Sequence, residues 1–149
     1  MRVKTSSLCK GLLTCLLLLS FVSVLHAADH KRFTLKEGVI YDSELGLQWA
    51  PANGRAMNHY KAEEYIQNLR LAGGGWRLPT RAELKSLYDK SKPRNADPVF
   101  NINNNWVWTS ELDGPSLAWA FSFGYGFELS YPRDNSDYFH VLAVRSRRC

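Results

Sequence analysis

Gly74-Gly75-Trp76-Arg77-Leu78-Pro79-Thr80, running straight into Arg81-Ala82-Glu83-Leu84, is the stretch on which the fold of this 149-residue chain turns. Thr80 and Glu83 stand three positions apart, the spacing of a capping box. In that device the Thr80 hydroxyl accepts from the Glu83 amide while the Glu83 carboxylate accepts from the Thr80 amide. Pro79 biases Leu78 towards an extended backbone. The segment therefore predicts a fixed corner feeding a helix over about 81–89 that buries Leu84, Leu87 and Tyr88. Arg77, a guanidinium in a tight corner, is assigned to backbone carbonyls or a carboxylate and not to a ligand.

Outward from the corner, the pattern upstream is helical. Ala62, Tyr65, Ile66 and Leu69 fall at i, i+3, i+4 and i+7, one apolar stripe, with Asn58 as N-cap and Gly73-Gly74-Gly75 as the stop. Before it, Val39-Ile40-Tyr41 and Leu45 to Trp49 read as short strands around the turn Asp42-Ser43-Glu44. Downstream the period becomes two. Trp106 and Trp108 oppose Val107; Leu117, Trp119, Phe121 and Phe123 alternate with Ala118, Ala120 and Ser122; Phe127, Leu129 and Tyr131 alternate with Glu128 and Ser130. Tyr138 to Val144 makes a last strand. The connectors are too short for crossover helices, so neighbouring strands are expected to run antiparallel. The class is α+β, two short helices packed on an antiparallel sheet. Trp49, Trp76, Trp119 and Phe121 are assigned to the core.

Residues 1–27 read as a secretory signal peptide: Arg2, Lys4 and Lys10 precede an apolar run from Leu12 to Leu25, and Leu25-His26-Ala27 suits cleavage. The run is too short to span a bilayer, which needs about 20 residues. The remaining 28–149 suits one domain, exported to the periplasm or beyond the cell, with no stable membrane insertion. The formal charge of +5 falls to +2 once the three leader cations are removed, which argues against a nucleic-acid partner. Cys149 is the one cysteine outside the leader, so no internal disulfide is expected there. Whether it joins two chains, and the oligomeric state, are left open.

No catalytic constellation emerges. His30, His59 and His140 fall in a tail, a helix start and a strand, and Gly73-Gly74-Gly75 lacks the pattern of a phosphate loop. No metal or cofactor is expected. Asp134-Asn135-Ser136-Asp137 reads as a polar turn in preference to a calcium loop, since calcium wants six or more oxygens. Two groups of residues are candidates for binding. Arg145, Arg147 and Arg148, with Arg133, form a basic cluster able to meet sulfate or carboxylate. Tyr125 lies between two glycines, and Tyr131 and Tyr138 flank a turn, all placed for exposure.

Ala62 to Leu69, the Gly-Gly-Trp-Arg-Leu-Pro-Thr-x-x-Glu-Leu corner, Trp108-Thr-Ser110, Ala118-Trp-Ala120 and Val144-Arg145 occur in an order that resembles the Lcl C-terminal domain family, named for the Legionella collagen-like protein. The resemblance covers Phe33 to Arg145 and implies a C-type lectin-like variant fold. It also implies a non-enzymatic module that binds anionic glycans. Relatives carry a cysteine pair at positions that fall here on Ile66 and Ala143, so the resemblance implies that packing replaces a disulfide. The chain departs from the named member in having no collagen repeats. The expected function is an exported binding module for an anionic glycan. The alternatives are a protein-interaction module using the Glu111–Ser116 and Pro132–Asp137 loops to hold a surface protein, and an enzyme of unknown type.

Overall fold

The computed structural model describes residues 31–103 and 105–147, which belong to one compact unit, Lys31–Cys149. The expected signal peptide and cleavage site, His30, Arg148 and Cys149 lie outside the described residues. The class is α+β. Strands β1 (Phe33–Lys36), β2 (Val39–Asp42) and β3 (Leu47–Ala50) precede helix α1 (His59–Asn68) and helix α2 (Arg81–Ser86). Then come β4 (Trp106–Leu112), β5 (Leu117–Ser122), β6 (Phe127–Pro132), β7 (Phe139–His140) and β8 (Ala143–Ser146). No described helix is long and apolar enough to cross a membrane.

One antiparallel sheet was the expectation; two four-stranded sheets are found, ordered β1-β2-β3-β8 and β6-β5-β4-β7. The predicted last strand divides at the buried pair Val141-Leu142. Its first part, β7, lies parallel to β4, with Trp106 opposite Phe139. Its second part, β8, lies antiparallel to β3, with Trp49 opposite Val144. The pairing is parallel at β7 because the chain reaches β4 after a hairpin and a loop, not directly by a turn. Strand β1 was not anticipated; its residues beyond Phe33 are exposed, so no alternation marks it.

Alternation along the strands separates two cores. Ile40, Trp49, Val144, Val107, Phe121 and Phe123 pack with Leu84 and Leu87 of the α2 region. On the other side Val39, Ala50, Ala143, Trp108, Ala118, Ala120 and Phe139 pack with Ala62 and Ile66 of α1 and with Trp76 and Leu78 of the corner. The two helices thus serve opposite faces of the sheets. Helix α1 stops at Leu69, before the glycines. Gly73, Gly74 and Gly75 instead make a run of left-handed backbone, φ 85°, 72° and 78°, that brings the chain round to Trp76.

The corner forms as the capping box requires. The Glu83 amide donates to Thr80 Oγ1 at 3.1 Å, and the Thr80 amide donates to Glu83 Oε2 at 2.8 Å. Arg77 forks onto both oxygens of Glu83 at 2.9 and 2.7 Å. The Arg77 backbone exchanges two 2.9 Å hydrogen bonds with Val144, tying the corner to β8. One aromatic expectation needs correction. Trp119 is only half-buried, its ring lying 4.3 Å beneath the Arg81 guanidinium. Phe127 and Leu129 are each 45% exposed, because β6 is a sheet edge with no element over its outer end.

Candidate functional site

The three described arginines of the expected basic cluster, Arg133, Arg145 and Arg147, do not come together. Arg145 is a core residue, 6% exposed. Its guanidinium donates to Gln48 Oε1 at 2.8 Å and to the carbonyls of Ala72 and Gly74, and lies 4.2 Å over the Trp76 ring. It therefore cements β8 to the glycine turn and is not presented to a ligand. Arg133 is also turned inward. It donates to Glu63 at 2.9 Å and to His59 Nδ1 at 3.2 Å, and its guanidinium covers Tyr60 at 4.2 Å. Arg147 is exposed and lines an open groove of about 400 Å³ with Lys36, Thr34, Tyr41 and Ser43. Arg148 lies outside the described residues.

The expected tyrosines fare differently. Tyr131 and Tyr138 line the same groove, about 310 Å³, with Trp106, Asn135, Asp137 and Phe139. Its floor is a fixed aromatic cluster. The Trp106 ring meets Tyr131 edge to face at 5.1 Å and Phe127 at 5.8 Å, and Tyr131 meets Phe139 at 5.1 Å. Tyr138 is 77% exposed on the rim and holds φ at 68°. Tyr125, 71% exposed, stacks on Phe127 at 5.7 Å and extends the aromatic surface outward. The strand register explains the grouping: Trp106, Ser122 and Phe127 are cross-strand neighbours, so their side chains share one face. Helix α1 covers that face only at its Trp108, Ala118 and Ala120 end.

The loop after β6 is held by short local bonds: the Asn135 amide donates to the Pro132 carbonyl and the Asp137 amide to Asn135 Oδ1. Its base is moored to α1, because the His59 amide donates to the Arg133 carbonyl at 2.9 Å. His59 itself is fully buried, with Nε2 2.9 Å from the Thr109 carbonyl. Arg133 donates to Nδ1, so the neutral ring carries its proton on Nε2. Burial pushes the His59 pKa below its ordinary value, outweighing the Thr109 bond and the Glu63 charge. His140 on β7 is lowered too, by burial. Among the described residues no three His, Cys, Asp or Glu side chains gather as metal ligands.

Trp106 was missed as a binding candidate, whereas Asn135 and Asp137 were read as a polar turn and as part of a loop for a protein partner. Alternation placed Trp106 on a strand face, but the uncovered end of that face depends on where α1 stops. A model of the Lcl C-terminal domain family matches residues 38–145, a span that includes the groove, both helices, strands β2 to β7 and all of β8 but its last residue. No curated protein matches the chain.

Proposed function

The chain belongs to the Lcl C-terminal domain family, and on that premise we propose that it is an exported, non-catalytic module that binds glycans outside the cytoplasm. The observation that carries this reading is the uncovered aromatic surface at the open end of β4 and β6. Half-buried Trp106 and Tyr131, exposed Tyr138 and the Tyr125–Phe127 stack lie beside the polar Asn135 and Asp137. Rigid rings with a few polar neighbours are what a sugar-binding surface needs, since sugars present both C–H faces and hydroxyls. The non-catalytic part of the proposal is supported by His59, whose two nitrogens are both occupied by protein partners. A glycan array probed with the exported protein and with Tyr138→Ala tests it. Retention of at least one glycan class, weakened in the variant, is expected; no retention of any class overturns it.

A second reading keeps the anionic ligand but moves it. Lys36 and Arg147 share the groove on the first sheet, and neither side chain is engaged in an ion pair among the described residues. Acidic glycans would bind there through charge, steeply weakened by salt. Elution of the Lys36→Ala/Arg147→Ala variant from heparin at the same salt as the unaltered protein overturns that placement.

A further inference from the structure

We infer that the groove between Trp106, Tyr131 and Tyr138 takes an uncharged pyranose, its C–H face against the rings and its hydroxyls on Asp137, and rejects sulfated or carboxylated sugars. This rests on the glycan reading above and names the ligand class of that site. Three observations point the same way.

The first is rigidity. Trp106 is braced by Tyr131, Phe127 and, at 6.4 Å, Phe139. A ring already fixed loses little entropy on binding, so modest stacking contacts survive as affinity. Trp106 meets Tyr131 and Phe127 edge to face and Phe139 at a 44° tilt, and the groove they line opens to solvent at Tyr138 as a shelf and not a closed box. A shelf suits a flat pyranose better than a compact quaternary ammonium ion, which favours rings on several sides.

The second is Tyr138. A bulky residue with φ near 68° is a backbone outlier, and such strain persists where the surroundings enforce it. Tyr138 recovers little through its own packing, being 77% exposed. Its conformation sets an exposed phenol ring at the lip of the groove.

The third is charge. Asp137 is exposed and forms no ion pair among the described residues, and the nearest sequence candidate, Arg133, is locked onto Glu63, His59 and Tyr60. Lys36 and Arg147 line the separate groove on the other sheet. A carboxylate only accepts hydrogen bonds, and those from hydroxyl donors are charge-assisted. Sugar hydroxyls satisfy it; a sulfate or uronate carboxylate meets like charge. Asn135 commits its Oδ1 to the Asp137 amide, which leaves its Nδ2 to donate to a sugar oxygen.

Calorimetric titration of the exported protein with four neutral trisaccharides (chitotriose, cellotriose, maltotriose and mannotriose), a heparin hexasaccharide and tetramethylammonium tests the assignment. At least one neutral trisaccharide is expected to bind, with affinity unchanged between roughly 50 and 500 mM salt. Tyr138→Ala and Trp106→Ala are expected to weaken it about tenfold or more, the scale of losing a buried aromatic contact. Asp137→Asn weakens it several-fold. Tyr138 is exposed, so an unchanged thermal melt for its variant separates lost binding from lost fold. Binding of the heparin fragment alone, salt-sensitive and moved by Lys36→Ala/Arg147→Ala, overturns the ligand class while the glycan reading stands. Binding of tetramethylammonium without any neutral sugar also overturns it. Silence across every saccharide overturns both readings.

Discussion

Arg145 and Arg147 stand two positions apart, the first inside β8 and the second just past its end, and they reach different environments. Arg145 lies over Trp76 and the carbonyls of Ala72 and Gly74, whereas Arg147 has run past that turn into the open groove. Arg145→Ala leaves Gln48 and two carbonyls without their donor in a buried setting, at a cost of about 2–4 kcal/mol. Arg147→Ala stays within about 0.5 kcal/mol of the unaltered protein. Urea denaturation of the two variants distinguishes them, and equal midpoints would contradict the placement. Nothing in the sequence separates these arginines, because the partners of Arg145 lie 97, 73 and 71 positions away. The Thr80–Glu83 box was legible for the opposite reason: both its bonds close over three positions. His59 adds a pH dependence. Its pKa is lowered in the folded state, so the unfolded chain binds the proton more readily. The stability it contributes is full above its ordinary value of 6.5 and is lost as pH falls through the lower folded value. Between about pH 7 and 5.5 the urea midpoint should fall. His59→Gln keeps an acceptor and a donor without titrating, so it removes part of that slope; His140, lowered in the same sense, carries the rest.

Helix α1 contributes through its buried stripe. Ile66 and Ala143 occupy the same core, where the family resemblance placed a cysteine pair. Packing holds this position together, so Ile66→Ala should cost about 2–5 kcal/mol in chemical denaturation. A loss under about 1 kcal/mol would mean that the neighbouring elements collapse into the space. The β5–β6 turn is sensitive for another reason. Gly126 holds φ at 79°, and a Cβ there would sit 2.5 Å from the Tyr88 ring, which packs on Phe121 and Phe123. Gly126→Ala must both strain the turn and displace that ring, so it should lose more than Gly54→Ala, whose site has a similar φ but open space. Near-ultraviolet circular dichroism of the tyrosine band reports the displacement. Alternation assigned the faces of β4 and β5 well, since both are interior to their sheet. It could not show that β6 is an edge, nor that Phe127 and Leu129 stay half in water. Period two describes which side a residue faces, not whether anything lies on that side. The candidate groove was therefore half-readable: its tyrosines by their turns, its tryptophan and acidic rim only from the assembled sheet.

The two sheets depend on one stretch of chain. Phe139-His140 closes one sheet against β4, and Ala143 to Ser146 closes the other against β3, with Val141 and Leu142 buried between them. Because one segment supplies a terminal strand to each sheet, neither sheet can shed it without exposing the Trp49 core and the Trp108 core together. Cooperative, single-step unfolding follows from that connectivity. Leu142 is the position at which to test it, being fully buried while belonging to neither strand. Leu142→Ala should cost about 2–5 kcal/mol. Under native-state hydrogen exchange it should lower protection of the β2–β3 and β4–β5 amides by the same free energy, since both open in one event. If β4–β5 kept its protection while β2–β3 lost it, the sheets would be separate folding units. The aromatic groove, built wholly on β4, β6, β7 and the loop between the last two, would then survive the loss of the other half.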